Sequence, residues 1–338
     1  MPPKRTIIEI AERVGVSPAT VSRALNNQAG VGEDKRRRIM EVAAELDYHP
    51  NVIARSLQGQ RTNTVAYVAD MGARSDSPDT DLFFFKDFIM ELAASCARRG
   101  QDLLIHPAHL EGDDLSGLDG ALRSGRADGL VLTDICHNDP RVAYLLARGL
   151  PFVAFGRAAP LEHPSVDVDS EAGVYAAVSH LIGRGHRRIA FLGLPEAFTC
   201  ATERRAGYRR ALAEHGLPPD PACEQPGLAG ERSVAEALAR LLALPSPPTA
   251  FAAASDTLAI HLMAAAAQHG LLAGRDYALT GFDGLPITGH TLPALTTVHQ
   301  PLSLVCDALI DLLARVITSE PGPRQVLVQP DLVVRASS

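Results

Sequence analysis

The segment Val14-Gly15-Val16-Ser17-Pro18 constrains the fold most, because it stops one helix and starts another within three residues. Before it, Ile7, Ile10, Ala11 and Val14 are apolar at helical spacing, and Thr6 followed by Glu9 is a capping-box pattern. The spacing predicts a helix from about Ile7 to Val14. Gly15 ends it, Val16 gives the turn an apolar anchor, and Ser17 with Pro18 combines an N-cap with a first-turn proline that restarts a helix. A third helix is predicted from about Asp34 to Leu46, with Ile39, Val42, Ala43 and Leu46 as one stripe. Three short helices around a small apolar centre, with a tight turn between the first two, form a helix-turn-helix headpiece.

In such a headpiece the second helix enters the major groove by its N-terminal end. Ala19 and Arg23 are four residues apart and share a face, which places Arg23 to reach a guanine edge through two parallel hydrogen bonds. Thr20 and Ser22 flank that face and suit phosphate contacts that set register without reading sequence. Pro18 and Ala19 lack side-chain donors and offer only apolar contact. A lone arginine on a helix is ordinarily a solvated charge. Here the capping pattern, turn glycine, Ser-Pro restart and local charge coincide, and together they predict DNA binding.

The charge is unevenly spread. Of 32 basic and 39 acidic residues, net −7, the first 61 hold ten Lys/Arg against seven Asp/Glu, a balance of +3. The remainder carries 22 against 32, or −10. A small basic module is joined to a large acidic one, as expected when only one end meets a polyanion. After Tyr48-His49-Pro50 comes NVIARSLQG, about two turns bounded by Pro50 and Gly59. Isolated helices shorter than ~12 residues are marginal in water, so this segment is a candidate for folding on DNA, with Leu57 beside Arg55 as an apolar wedge in the minor groove. On composition alone, a polar linker with one stray leucine is the preferred reading.

A length of 338 residues exceeds one ordinary core, since single cores stop growing at roughly 250 to 300 residues. From Thr64 onward, short apolar runs alternate with helical stretches. TVAYVAD, DLLIHPA, GLVLTD, PFVAFG, RRIAFLG, TAFAAAS and YALTGFDG have the character of buried strands. Helices are predicted at about Phe84–Arg99, Leu115–Ser124, Pro140–Arg148, Ser170–Gly183, Glu203–His215, Arg232–Leu242 and Thr257–His269. Strands with few charges alternating with helices indicate parallel sheets covered on both faces, and some 275 residues of this suggest two such sheets. A cleft between two lobes, at the carboxyl ends of strands, is the expected ligand site.

No P-loop, G-x-S-x-G, H-E-x-x-H or strand-following G-x-G-x-x-G occurs, so no catalytic role is expected. The twelve histidines do not cluster at metal-ligand spacing, and His106 with His109 suggests no third ligand. No metal or cofactor is expected. Cys96, Cys136, Cys200, Cys223 and Cys306 are odd in number and contain no C-x-x-C, and are expected to be reduced, mostly buried small hydrophobes. No run approaches the ~18 apolar residues of a membrane span, and MPPKRTIIEIAERVGV lacks the apolar core of a signal peptide, so a cytoplasmic protein that meets no membrane is expected.

TIIEIAERVGVSPATVSRALN followed by YHPNVIARSL closely resembles the headpiece and hinge of the LacI/GalR family of bacterial transcriptional repressors, densely over roughly residues 4 to 62. The resemblance implies that Pro18, Ala19 and Arg23 occupy base-reading positions. It also implies that Asn51, Ala54 and Leu57 occupy hinge positions working in the minor groove, with Leu57 intercalating, which reverses the preference for a plain linker. The expected DNA contacts are Thr6, Ser17, Pro18, Ala19, Thr20, Ser22, Arg23 and Asn26, with Asn51, Ala54, Arg55 and Leu57 in the hinge. Pro and Ala replace larger polar residues of some members, so the operator sequence does not carry over.

The rest resembles, more loosely, the family's two-lobed sensor, a cytoplasmic relative of periplasmic sugar-binding proteins. The implied organisation is a headpiece over 1–49, a hinge and linker over 50–61, and an effector-binding and dimerisation domain over 62–338. Its N-subdomain covers about 62–160 plus 290–320, and its C-subdomain about 161–289 plus 321–338. Arg204, three residues before Gly207, and Asp283 in GFDG match effector-binding positions of the family. Ser255 and Asp256 stand where the family often has an Asn-Asp pair. Phe84 and Phe85 stand where aromatic side chains cover the ligand, and Arg157 and Thr133 follow strands that open into the cleft. For each a structural alternative exists: Asp283 as a turn residue, Phe84 and Phe85 as core, Arg157 or Arg204 in an ordinary ion pair. An arginine and an aspartate in one cleft suit a ligand rich in hydroxyls.

The stretches FGRAAP and RRIAFLGLPEAFTCATERRAGYRRAL most resemble members responding to α-linked glucosides; a nucleobase effector and a sugar-binding module without operator preference are the alternatives. The expected partners are a pseudo-palindromic double-stranded operator, a small sugar and a second copy of the chain. PDLVVRASS shows no heptad pattern, so a dimer is expected rather than a coiled-coil tetramer.

Overall fold

The computed structural model describes residues 6–25, 29–46, 48, 61–70, 82–108, 115 and 117–338. They fall into two compact units, Met1–Thr62 and Asn63–Ser338.

In the first unit, α1 (Ile7–Val14), α2 (Pro18–Leu25) and α3 (Glu33–Glu45) enclose a core whose centre is Ile10, Val21 and Ile39, all with no solvent exposure. Gly15 closes α1 in the left-handed region at φ 72°, where a Cβ would be strained. The Val16 N–H returns to the Ala11 carbonyl at 3.0 Å. Ser17 Oγ then accepts from the Thr20 N–H at 3.2 Å and caps α2. The capping box at Thr6 is not made: the Thr6 side chain makes no cap bond, and the Glu9 N–H goes to the Thr6 carbonyl instead, 3.1 Å away.

The second unit contains two six-stranded sheets. The first is built from β1 (Thr64–Asp70), β2 (Asp102–Ala108), β3 (Gly129–Leu132), β4 (Phe152–Phe155), β5 (Ser165–Val168) and β11 (Gln325–Val328), in the order β11-β5-β4-β3-β1-β2. All its pairings are parallel. The second comprises β6 (Ile189–Leu192), β7 (Glu224–Gln225), β8 (Ala250–Ala253), β9 (Ala278–Asp283), β10 (Thr296–His299) and β12 (Asp331–Val333), in the order β12-β10-β9-β8-β6-β7. Only the β10–β12 pair is antiparallel. β3, β6 and β8 are buried at every position, as strands covered on both faces must be.

Helices α4 (Leu82–Arg98), α5 (Gly120–Arg123), α6 (Pro140–Ala147) and α11 (Leu302–Thr318) belong with the first sheet. Helices α7 (Ser170–Gly183), α8 (Thr199–Glu214), α9 (Glu231–Leu242) and α10 (Asp256–Gln268) belong with the second. Each sheet reverses its strand order beside its first strand, between β1 and β3 and between β6 and β8. Such switch points leave a crevice at the strands' carboxyl ends.

The chain crosses between lobes at points other than those expected. Residues 165–168 and 325–328 belong to the first sheet, and 296–299 to the second. Lobe ownership was set by non-local pairing: β11 adds to β5, some 160 positions earlier, with Gln325 opposite Ser165. The helix expected over Leu115–Ser124 is only Gly120–Arg123, since Gly117 and Gly120 weaken its start. α8 begins at Thr199 rather than Glu203, straight after an extended Phe198 at φ −75°, ψ 135°, with no side-chain cap to mark the start. α11 carries a clear stripe, Val305, Leu309, Leu312 and Leu313, that would have revealed it.

Candidate nucleic-acid interface and ligand cleft

At the start of α2 the side chains of Ser17, Pro18, Ala19 and Arg23 are exposed on one face, with Thr20 and Ser22 partly exposed beside them. Val21 and Ala24 of the same helix are buried, so the helix has one inward and one outward face. The Arg23 guanidinium lies back along the helix, its Nε 3.4 Å from the Ala19 carbonyl. Thr6 is exposed at the start of α1. Asn26, Asn51, Ala54, Arg55 and Leu57 lie outside the described residues.

In the second unit, α8 gathers the cleft residues. Arg204 is 6% exposed. One of its Nη atoms donates to the Ala254 carbonyl just past β8, and the other is 3.7 Å from Asp283 Oδ1 at the end of β9. Its guanidinium lies 3.8 Å from the centre of the Phe282 ring. The remaining donor, Nε–H, is buried with no partner among the described residues. A buried charged donor without an acceptor is costly.

Asp283 sits at φ 120°, an uncommon backbone for a residue with a Cβ, and its carboxylate accepts from Gln300 Nε2 at 2.8 Å. Asp256 has no exposure: one oxygen accepts from the Leu285 N–H at 2.8 Å, the other from the Thr297 hydroxyl. Burial pushes Asp256 up to about 7. Ser255 Oγ accepts from the Leu258 N–H at 3.2 Å and caps α10. Ser255 and Asp256 therefore fix the loops that carry Arg204's partners.

On the first lobe, Thr133 follows β3, with its hydroxyl 3.1 Å from the Tyr67 hydroxyl. Its carbonyl accepts from Arg141 at 3.0 Å, and Arg141 is itself paired with Asp139 at 2.7 Å. Phe84 and Phe85 are buried at the start of α4. Phe84 stacks on Phe88 and Phe155 at ring separations of 6.3 and 6.2 Å, so it belongs to an aromatic cluster of that lobe. Arg157, after β4, bridges the lobes: Nε donates to Asp167 Oδ2 at 2.8 Å and an Nη to Glu203 Oε1 at 2.6 Å. Backbone bonds join the lobes beside it, from the His137 N–H to the Ala197 carbonyl and from the Thr199 N–H to the Ile135 carbonyl, both 3.1 Å.

Residues 6–51 match the family model for bacterial regulatory proteins of the lacI family, and residues 178–338 that for a periplasmic binding protein-like domain. The HTH-type transcriptional regulator AglR of Rhizobium meliloti (strain 1021) is 32% identical, over 98% of this chain and 93% of its own. The chain belongs to the lacI family. It is thus a DNA-binding transcriptional regulator with a two-lobed α/β sensor. A solved regulatory protein of this family from Chloroflexus aggregans matches with a TM-score of 0.75 at 34% identity, over 81% of this chain and 98% of that one. The transcriptional regulator CelR, solved in complex with cellobiose, matches with a TM-score of 0.73 at 28% identity, over 99% of this chain and all of that one.

In this lacI-family regulator the residues not singled out in the sequence are Asp167, Glu203, Gln300 and Thr297. Their partners lie 10 to 46 positions away, so no local pattern marks them. Burial, chiefly, and the Asp167 carboxylate push Glu203 up to about 7 from 4.5, against the pull of Arg157 and Arg204. The folded state thus prefers Glu203 protonated. Its stabilising contribution is full below about 4.5 and is lost as pH rises towards about 7. Replacing Glu203 by Gln should remove this component, so the change in sensor melting temperature between pH 5.5 and 7.5 should differ from that of the wild type. Coincident melting-temperature profiles for the two proteins would refute it.

Proposed function

We propose that the protein is a repressor of carbohydrate-utilisation genes that binds a pseudo-palindromic operator as a homodimer and is controlled by a small sugar between the sensor lobes. The observation that carries the sensor half of this reading is the Arg204 guanidinium at the carboxyl ends of β8 and β9, whose buried Nε–H has no partner among the described residues and one of whose Nη atoms lies 3.7 Å from Asp283 Oδ1. A donor and an acceptor so placed suit vicinal hydroxyls. The CelR structure with cellobiose supports a sugar as the ligand class, and an α-glucoside remains the finer expectation. The regulatory reading assigns no catalytic residue and needs no cofactor.

The mechanism is a coupled equilibrium. Two headpieces engage the operator, with Pro18, Ala19 and Arg23 at base edges and the hinge residues Asn51, Ala54, Arg55 and Leu57 in the minor groove. The lobes have two relative arrangements, and a ligand preferring one shifts operator affinity by its differential affinity, typically ~1–3 kcal/mol. By reciprocity the operator changes sugar affinity by the same factor.

Titration of a labelled operator fragment by fluorescence anisotropy, with and without added sugar, tests both halves. Arg23→Ala should weaken operator binding by about 1–3 kcal/mol, roughly fivefold to 150-fold, by loss of a base contact. Because Arg23 is exposed, its melting temperature should not change. Competition by random DNA as strong as that by any genomic fragment would overturn the operator half; sugar-insensitive operator binding would overturn the sensor half.

A further inference from the structure

The sensor lobes meet through a short backbone ladder as well as through side chains. After β3, residues 135–137 run antiparallel to residues 197–199, which lead into α8. The His137 N–H donates to the Ala197 carbonyl and the Thr199 N–H to the Ile135 carbonyl, each at 3.1 Å, with Cys136 opposite Phe198. The Thr199 hydroxyl donates to the same Ile135 carbonyl at 3.1 Å, and the His137 ring Nε2 lies 2.9 Å from the Thr202 hydroxyl. α8 begins without a side-chain cap, so the Ile135 carbonyl of the other lobe serves a donor that a helix start leaves open.

The first-lobe side of this ladder is shaped by its own lobe. Asp134 and Asn138 bracket it at φ 55° and 53°, a backbone that Asp and Asn adopt more readily than most residues. The buried Arg141 guanidinium donates through Nη2 to the Thr133 carbonyl at 3.0 Å and the Asp134 carbonyl at 2.7 Å. Its partner Asp139 accepts from the Cys136 N–H at 3.1 Å. A loop ordered in this way loses little further freedom when the second lobe docks on it. The ladder also stands away from the places where the chain passes between lobes. Those passages follow β5, follow β10 and separate β11 from β12, on the two strands at one edge of each sheet. β3 is two strands in from β5, and β6 three strands in from β10. At a strand spacing of about 4.8 Å these are distances of roughly 10 and 14 Å. A hinge opening of about 15° acting over them parts the segments by roughly 3 Å, enough to break every bond of the ladder.

We propose that residues 135–137 and 197–199, with the His137–Thr202 bond beside them, form a clasp on the far side from the chain crossings, made in one lobe arrangement and broken in the other, through which a bound sugar controls operator affinity. This rests on the coupled-sensor reading above and deepens it by naming the contact that distinguishes the two arrangements. Asp139 and Arg141 are positioning residues that act through the loop.

Cys136 and Phe198 stand between the ladder's two hydrogen bonds, the antiparallel position where Cα atoms lie about 4.5 Å apart and a disulfide fits. The test is therefore Phe198→Cys, in a Cys200→Ser background of the full-length protein, oxidised with diamide, which takes up the two thiol hydrogens, or reduced with dithiothreitol. Cys96, Cys223 and Cys306 are buried. Peptide mapping should find the cross-link between positions 136 and 198. Operator affinity is then read by anisotropy with and without maltose, cellobiose or trehalose. In the reduced protein at least one of these sugars should shift it by about fivefold or more; in the oxidised protein the shift should fall below about twofold, and dithiothreitol should restore it. A shift of equal size in the oxidised protein, or a folded variant whose thiols do not cross-link, overturns the clasp while leaving a sugar-responsive regulator standing. If none of the sugars shifts the operator affinity of the wild type, the coupled-sensor reading fails and the proposal falls with it. A Phe198→Cys variant that fails to fold, or that does not respond when reduced, moves the test to hydrogen exchange on the wild type. There the sugar that shifts operator affinity should change the protection of the His137 and Thr199 amides by about tenfold or more; unchanged protection at both overturns the clasp.

Discussion

Gly207→Ala is expected to destabilise the sensor by on the order of 3 kcal/mol, the upper range for overpacking a buried contact. Alanine is the better helix former by about 1 kcal/mol, so propensity alone predicts the opposite sign. The tertiary contact decides. A Cβ at Gly207 would stand 2.2 Å from the Glu171 carbonyl oxygen and 3.1 Å from both the Glu171 carbonyl carbon and the Tyr175 nitrogen. These are backbone atoms of α7, so no rotamer change relieves them. The helices must separate, loosening Val174 and Val178 of α7 against Tyr208 and Ala211 of α8, all buried in one core. Tyr208 would also be drawn from the Ile189 carbonyl, to which its hydroxyl donates at 2.9 Å. Calorimetric melting of the full-length protein is the measurement. A sensor transition unchanged or raised in Gly207→Ala would show that α7 and α8 are not in backbone contact.

Arg204→Ala is expected to remove the effector response and to destabilise the second lobe by about 3–5 kcal/mol, as when one member of a buried ion pair is deleted. Asp283 would keep the Gln300 amide but lose the Arg204 guanidinium, 3.7 Å from its Oδ1. The Ala254 carbonyl would lose a charged donor, and the Phe282 ring the guanidinium above it. Arg204→Lys separates the two effects. Its charge can still face Asp283, but it lacks the planar fork that serves Ala254 and Asp283 at once and that the proposed sugar would also use. It should recover part of the stability and little of the sugar binding. Thermal melts with calorimetric sugar titrations test this; full sugar affinity in Arg204→Lys would mean that the fork is not what binds the ligand.

The headpiece was legible because its instructions are local. Gly15 ends α1 and Ser17 caps α2 within a few residues of where the pattern placed them, since caps and helical period act over three or four positions. Thr6 shows the limit: two backbone arrangements satisfy the Glu9 N–H, and the folded one uses the Thr6 carbonyl. In the sensor, buried strands such as Gly129–Leu132 stood out as apolar runs. Lobe membership of Ser165–Val168 and Gln325–Val328 did not, because an apolar strand suits either sheet until a distant partner chooses it. Resemblance supplied the positions of Arg204 and Asp283; only the folded geometry showed that they face each other at 3.7 Å and that the Arg204 Nε–H is buried without a partner among the described residues. Likewise FGR identified Arg157 but not its partner, Glu203, 46 positions later across the lobe boundary.

The sequence by itself thus determined the helix ends, the outward face of α2, the two-sheet sensor and the family to which both belong, because each depends on local periodicity, capping or contiguous motifs. The tertiary structure decided where the chain crosses between lobes and which charged side chains face one another there. Both depend on groups far apart in sequence, and a charge's availability to a ligand is fixed by what faces it in space.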